Sequence, residues 1–281
     1  MNISMYTASV GMRAFQQKLD GIANNMTNVD TVGFKRGNYN FTDILLARLP
    51  EENELNLMGR ITPLGVDIGG GAKVSAEWDF TQGKAIVTNN ELDFMLNGNA
   101  FFQVAPIDDT GTPLTNKIYF TRQGDFNFRL IAGRKYLVTN QGIAVLNTNG
   151  EPINIAGDSK INITKDGRVY EVTGNGEQQE LGYLALAEIT SPNSLEEVGN
   201  GLYQIPSLLN NSTVPLYQIL DMTDPVTKEK VTITQGSLEG SNVDLVQEMT
   251  DLLKVERGYQ LQARAFSYAE NMLGLTVNLR G

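Results

Sequence analysis

The sequence predicts an α+β protein in which long N- and C-terminal α-helices, coiled-coil-like, form one end-domain, with an all-β middle domain between them in the chain. Three observations predict it. Apolar residues near the N-terminus recur at heptad spacing, they do so again near the C-terminus, and everything between reads as short apolar runs separated by Gly, Asn and Asp. The boundaries that follow are 1–36 plus 237–281 for the helical domain, 37–81 and 205–236 for extended connectors, and 82–204 for a β-rich outer domain.

The first helix rests on Met5, Ala8, Met12, Phe15, Leu19, Ile22 and Met26, spaced 3, 4, 3, 4, 3 and 4 residues apart. That spacing places all of them on one stripe. Asn24, Asn25 and Asn28 are expected to loosen the helix end, and Asp30 to Gly33 to close it with a turn. Farther on, residues 50–71 carry two prolines, acidic side chains and Gly69-Gly70-Gly71, which marks a long irregular segment.

In the middle, Asn149-Gly150 lies between Val145, Leu146 and Ile153, Ile155, and Asp166-Gly167 lies between Ile161, Ile163 and Val169, Val172. Both are hairpin signals, because a tight turn between strands needs positive φ. Further strands are expected at 100–104, 117–121, 136–139 and 183–189.

The last helix carries Leu245, Met249, Leu252, Tyr259, Ala263, Phe266 and Leu273 on one stripe, interrupted by Glu256 and Glu270, with Ser241 or Asn242 as its cap. From Leu261 a second stripe of Leu261, Ala265, Tyr268, Met272, Leu275 and Leu279 runs along a different face. One partner helix cannot cover both. On periodicity alone, the first stripes would also suit two helices packed on the body of a monomer. An isolated helix is marginal in water, so the stripes are expected to order once neighbouring subunits cover them.

Composition removes most chemistry. The 281 residues include no Cys and no His, so disulfides, thiolate metal sites, cysteine nucleophiles and the commonest general base are all missing. Gly69 to Gly71 is not followed by the Gly-Lys-Ser/Thr of a phosphate loop, and Gly174/Gly176 and Gly199/Gly201 complete no dinucleotide-binding pattern. The carboxylate pairs Asp108/Asp109 and Glu196/Glu197 are adjacent in loops, where they read as solvated charge. No catalytic residue, cofactor or metal is therefore expected, and the chain is not expected to be an enzyme.

The formal charge of −10 lies wholly on residues 37–236: residues 1–36 carry four basic and two acidic side chains, residues 237–281 four basic and six acidic, and those ends sum to zero. An acidic body argues against nucleic-acid binding. No run approaches the ~18 apolar residues of a membrane span, and MNISMYTASVGMRAF has no secretory-signal pattern, so export would use another route without a cleavable signal peptide.

Particular stretches carry a resemblance. Ala23-Asn24-Asn25-Met26-Thr27-Asn28-Val29-Asp30-Thr31-Val32-Gly33-Phe34-Lys35 resembles the N-terminal signature of bacterial flagellar rod and hook proteins. The stretch from Gly236 to Met249, followed by Glu256-Arg257-Gly258-Tyr259-Gln260, resembles their C-terminal signature. Gln82-Gly83, Leu92-Asp93, Asn97 to Val104 and Phe120 to Phe126 are similar to their β-domain, so the likeness spans nearly the whole chain. Phe41 to Val74, with Pro63-Leu64-Gly65, is most like the distal-rod members. Gly258 departs from the alanine often found there, and glycine costs about 1 kcal/mol of helix propensity, which would soften the helix; Pro192-Asn193 likewise reverses a common Asn-Pro order.

The resemblance implies a structural rod subunit in the flagellar basal body, polymerising through its terminal helices into the axial tube that passes torque from motor to hook. Its partners would be other copies of itself, neighbouring axial proteins and the flagellar type III export apparatus, with no nucleic acid and no membrane span. The packing seams would use Met5, Met12, Phe15, Leu19, Ile22, Leu245, Met249, Leu252, Leu261, Phe266, Tyr268, Met272 and Leu273. Asn25, Asn28, Gly33 and Asn242 would shape the helix ends. Phe41 and Leu45 resemble a short export signal, or else pack at one helical turn's spacing. A hook or proximal-rod subunit of the same family, and a soluble β-domain binding module that oligomerises through its ends, stay open as alternatives.

Overall fold

The computed structural model describes residues 3–47, 68–114, 117–155, 160–173, 177–206 and 216–278. In chain order it runs α1 (Ile3–Thr27), β1 (Arg36–Ala47), β2 (Ile68–Asp79), β3 (Ala85–Val87), β4 (Phe94–Asn97), β5 (Phe101–Ala105) and β6 (Tyr119–Thr121). It continues with β7 (Phe126–Ile131), β8 (Arg134–Thr139), β9 (Ala144–Val145), β10 (Asn154–Ile155), β11 (Lys160–Ile163), β12 (Arg168–Val172) and β13 (Gln178–Tyr183). It ends with β14 (Leu186–Ile189), β15 (Glu196–Gly199), β16 (Leu202–Gln204), β17 (Tyr217–Ile219), α2 (Pro225–Lys230), β18 (Thr232–Gln235), β19 (Ser237–Glu239) and α3 (Leu245–Asn278).

The architecture is α+β, with a helix near each end and a mostly β middle. The short helix α2 corrects the expectation of an all-β middle: Asp224 accepts its first turn through its carbonyl, and Pro225 at the start carries no N–H that would go unpaired. Residues 217–235, read from the sequence as connector, hold β17, α2 and β18. Residues 50–67 of the irregular segment, with Pro63-Leu64-Gly65, lie outside the described residues, as do 174–176 and Leu279; Gly69 to Gly71 sit in β2.

The chain divides into two compact units, one of residues 1–27, 37–77 and 244–281, the other of 28–36 and 78–243. In the second unit a ten-stranded sheet has the order β10-β8-β9-β5-β6-β16-β15, with β14 also on β5, β17 on β14 and β7 on β8. Strand β5 is buried along its length, and successive side chains point to opposite faces. Phe102 and Val104 thus enter a cluster with Phe94, Phe126, Leu137 and Leu186, while Phe101 enters another with Phe120, Ile189 and Tyr203. Each such side chain contributes roughly 1.5–3 kcal/mol by leaving water.

Both expected hairpin turns form. Asp166-Gly167 links β11 to β12 with Gly167 at φ +76°, and around Asn149-Gly150 the N–H of Asn147 donates to the carbonyl of Glu151. The expected strand at 183–189 is two strands, because β13 pairs β12 while β14 joins the large sheet.

In the first unit α1 and α3 pack along each other in antiparallel sense: Gly11 faces Gln262, Phe15 faces Gly258, and Asn25 bonds Glu248. The two sequence stripes are thus partly satisfied by each other inside one chain. Strands β1 and β2 pair in a separate two-stranded sheet.

Candidate functional site

Helix α3 has two opposite faces. Glu248, Leu252, Val255, Gly258, Gln262, Phe266, Ala269 and Leu273 are buried or half-buried, and at 100° per residue they centre on one side. Roughly half a turn away are Val246, Leu253, Leu261, Tyr268, Met272 and Leu275, which are between 55% and 74% exposed. The outer stripe sets six large apolar side chains in water along one face, with Thr250, Arg257 and Arg264 between them.

The seam residues distribute unevenly over these faces. On α1, Ile22 is buried and Met5, Met12, Phe15 and Leu19 are half-buried; on α3, Leu252, Phe266 and Leu273 are half-buried. Leu245, Met249 and Tyr259 lie exposed at the flank instead of in the seam, and Leu261, Tyr268 and Met272 belong to the outer face. The inner face is only partly legible in the sequence: Leu252, Phe266 and Leu273 stand on the heptad stripe, but the contact positions Gly258, Gln262 and Ala269 are small or polar. Gly258 is a packing notch: a Cβ there would sit 2.6 Å from Cε1 of Phe15, so the aromatic ring fills the space an alanine methyl would take.

The signature residues prove to be hydrogen-bond bridges. The helix α1 is not loosened by Asn24 and Asn25 but runs to Thr27, because the Asn25 side chain is committed: its Oδ1 accepts from Gly37 N and its Nδ2 donates to Gly37 O, both at 2.9 Å. The same amide donates to Glu248 Oε2 at 3.2 Å, and both side chains are buried. Asn28 closes the turn after α1, accepting from Thr31 through its carbonyl and through Oδ1. Gly33 takes φ +67° and approaches the backbone of Gln123 so closely that a Cβ would lie 2.8 Å from its nitrogen; its N–H donates to the carbonyl of Glu239. Glycine is the residue that meets both demands.

Asn242 is not the cap of α3. That role belongs to Asp244, whose Oδ1 accepts from Val246 N at 2.9 Å and Gln247 N at 3.3 Å. Asn242 joins three separated segments instead: Oδ1 accepts from Arg36 N at 2.8 Å, and Nδ2 donates to Asp79 O at 2.7 Å and to Thr81.

A buried ionic cluster, not anticipated from the sequence, lies within the second unit. Lys35 Nζ meets Glu239 Oε1 at 2.7 Å and donates to Thr81 O at 2.7 Å; Arg122 Nη1 meets Glu239 Oε2 at 3.4 Å while Nη2 donates to Gly98 O at 2.8 Å. Gly83 N completes the shell of Oε1 at 2.8 Å. All three charged side chains are essentially without solvent exposure. Burial pulls the Lys35 amine below its ordinary value near 10.5, opposed by Glu239, and it lowers Arg122 in the same way. Arg122 also lies 5.0 Å over the Phe101 ring. Each charge does sit in a stretch that carries the family resemblance, Gly33-Phe34-Lys35, Phe120-Thr121-Arg122 and Leu238-Glu239-Gly240, but nothing local pairs them.

Phe41 and Leu45 lie on β1, a strand and not a helical turn. No helix among the described residues is long and apolar enough to cross a membrane.

Comparison with known proteins aligns with these sites. A family model described as flagella basal body rod protein matches residues 5–35, one described as flagellar hook protein FlgE/F/G D1 domain matches 95–171, and one described as flagellar basal body rod FlgEFG protein C-terminal matches 234–279. The chain is 31% identical to the flagellar hook-basal body complex protein FlhP of Bacillus subtilis, covering 99% of each. It is 34% identical to the flagellar basal-body rod protein FlgG of Agrobacterium fabrum over 95% of each chain. To the FlgG of Borreliella burgdorferi it is 29% identical over 99% of this chain and 98% of that one.

Proposed function

Because the chain belongs to the flagellar basal-body rod and hook protein family, we propose that it is a structural subunit of the flagellar rod, of the distal-rod kind, resident in the basal body. It works by assembly and not by catalysis. The terminal helices polymerise, in coiled-coil-like contact with neighbouring copies and other axial proteins, and the resulting tube passes torque passively from motor to hook. The chain reaches its place through the flagellar type III apparatus, with Phe41 and Leu45 contributing to the export signal.

One observation carries the reading: the outer face of α3 keeps Val246, Leu253, Leu261, Tyr268, Met272 and Leu275 in water while the opposite face is covered by α1. Covering them would release roughly 1.5–3 kcal/mol per large side chain, enough to drive association when several are buried together. The inner seam, Met5, Met12, Phe15, Leu19 and Ile22 with Leu252, Phe266 and Leu273, then sets the helix pair, and Leu245, Met249, Leu261, Tyr268 and Met272 meet neighbours. A contact that repeats head to tail without closing makes a filament.

The test is Leu261→Glu with Met272→Glu. Both side chains are 65% exposed, so the isolated chain should fold with its β unit changed by less than about 0.5 kcal/mol. Rod assembly and motility should be lost, because charge would enter an apolar contact unpaired. A complete rod in the double variant, or a closed discrete oligomer of the wild type, would overturn the proposal.

A further inference from the structure

The two cations of the buried cluster come from distant parts of the chain, and one carboxylate serves both. Lys35 follows α1, Arg122 follows β6, and Glu239, the last residue of β19, lies shortly before α3. Asp79 adds a weaker attraction to Lys35. Arg122 has a long contact to Glu239, its Nε is buried without a hydrogen-bond partner among the described residues, and the buried hydroxyl of Tyr203 nearby is likewise unpaired. Among the described residues, Glu239 is the carboxylate that pairs with both positive charges.

Residues 33–36, 79–83 and 239–242 all belong to the second unit. Lys35 is bonded to Thr81 and to Glu239; Asn242 is bonded to Arg36, Asp79 and Thr81; and the backbone of Glu239 receives Gly33. Three segments far apart in sequence are thus gathered in one place within the second unit. Strand β19 holds Glu239 there through its ladder with β3, where Glu239 is opposite Ala85.

We infer that Glu239 is the shared counter-ion of a closure device, which docks residues 28–36 onto the β unit only when the C-terminal segment 237–242 is in place. Without that segment, Lys35 and Arg122 meet each other in a water-poor site without the carboxylate that pairs with both, so the N-terminal segment stays undocked. The cluster makes docking of the start of the chain conditional on arrival of its end. This goes beyond the rod reading and does not depend on it.

An ordinary ion pair and a shared counter-ion predict different asymmetries. Lys35→Met and Glu239→Gln abolish the same Lys35–Glu239 ion pair, but the first leaves Arg122 paired with Glu239 and the second leaves two buried cations facing each other without a carboxylate. Hydrogen exchange of the full chain at Gly33, Arg36 and Gly83, whose amides donate to Glu239 and Asn242, reads the docking directly. Glu239→Gln should lose about a hundredfold of protection at these amides and Lys35→Met less than about tenfold. Adding Lys35→Met to Glu239→Gln should restore part of the loss, by removing one of the two cations. If Glu239→Gln does not fold, recovery of a folded chain in the double variant carries the same information. Equal losses in the two single variants, or a double variant no better than Glu239→Gln alone, would overturn the inference.

Discussion

The β unit and the helical unit bury apolar surface in opposite ways. In the β unit the large apolar side chains of β4, β5, β8 and β14 are almost completely enclosed, with Phe94, Phe101, Phe102, Leu137 and Leu186 at no exposure. In the helical unit α3 leaves Val246, Leu253, Leu261, Tyr268, Met272 and Leu275 largely in water, and its covered face is made partly of Gly258, Gln262 and Ala269. The first encloses its core, and the second keeps one helix face in water. A side chain already enclosed within one chain has nothing further to gain from association, whereas an exposed stripe has several side chains' worth of burial still available.

The largest effect that would sharpen this contrast is in the β core. Phe102 sits at the centre of its cluster, edge-on to Phe126 with ring centroids 5.1 Å apart. Phe102→Ala should destabilise the β unit by about 3–5 kcal/mol, since the cavity cannot refill from neighbours already close-packed. Trp78, the single tryptophan, lies edge-on to Tyr203 in that unit and reports its unfolding by fluorescence. Amide exchange along α3 should stay as in the wild type. If exchange along α3 rises in step with the loss seen by Trp78, the helical unit draws its order from the β core and the contrast fails.

Much of this contrast was legible in the sequence, for a physical reason. Apolar stripes such as Leu261, Tyr268, Met272 and Leu275 announce themselves because period alone carries the signal, and so do the turns at Asn149-Gly150 and Asp166-Gly167, where positive φ restricts the residue type. Which α3 stripe turns inward was not legible. Val255, Gly258, Gln262 and Ala269 make a contact by being small or by fitting one partner, and Phe15 is that partner only after the helices meet. The ionic cluster was hidden for a related reason: Lys35 and Glu239 are 204 positions apart, and no local pattern ties a lysine to a particular glutamate across such a separation. The cap was misread because Ser, Asn and Asp all favour that position, and Asn242 is held by its bonds to Arg36, Asp79 and Thr81.

A smaller effect tests how tightly the helical unit is fitted on its one covered face. Gly258→Ala has two opposing consequences. Alanine gains about 1 kcal/mol of helix propensity over glycine. Its methyl would meet the Phe15 ring at 2.6 Å, however, and overpacking costs typically 1–3 kcal/mol. The expected net is a loss of about 1 kcal/mol, measured by denaturant unfolding followed through helical circular dichroism. In a Phe15→Ala background the steric cost disappears and the same substitution should stabilise by about 1 kcal/mol. A stabilising Gly258→Ala in the wild type would mean that the helices yield freely at this point and that the inner face is as loose as the outer one.

The smallest effect concerns the start of α3, where the first turn has to be held before either face can be presented. Asp244 accepts from Val246 N and Gln247 N, and its own carbonyl takes the first helical bond from Glu248 N. Asp244→Ala removes the side-chain acceptor and should cost about 1 kcal/mol. The change should be local, with faster exchange at Val246 and Gln247 and an unaltered β-unit transition. Asp244→Asn keeps an oxygen at the same place and should cost only a few tenths of a kcal/mol, leaving the loss of charge near the helix dipole as the remaining term. If Asn proves as harmful as Ala, the charge and not the hydrogen bonds fixes the helix start. In that case raising the salt concentration should weaken the wild type toward both variants, whereas a hydrogen-bonded cap is nearly indifferent to salt.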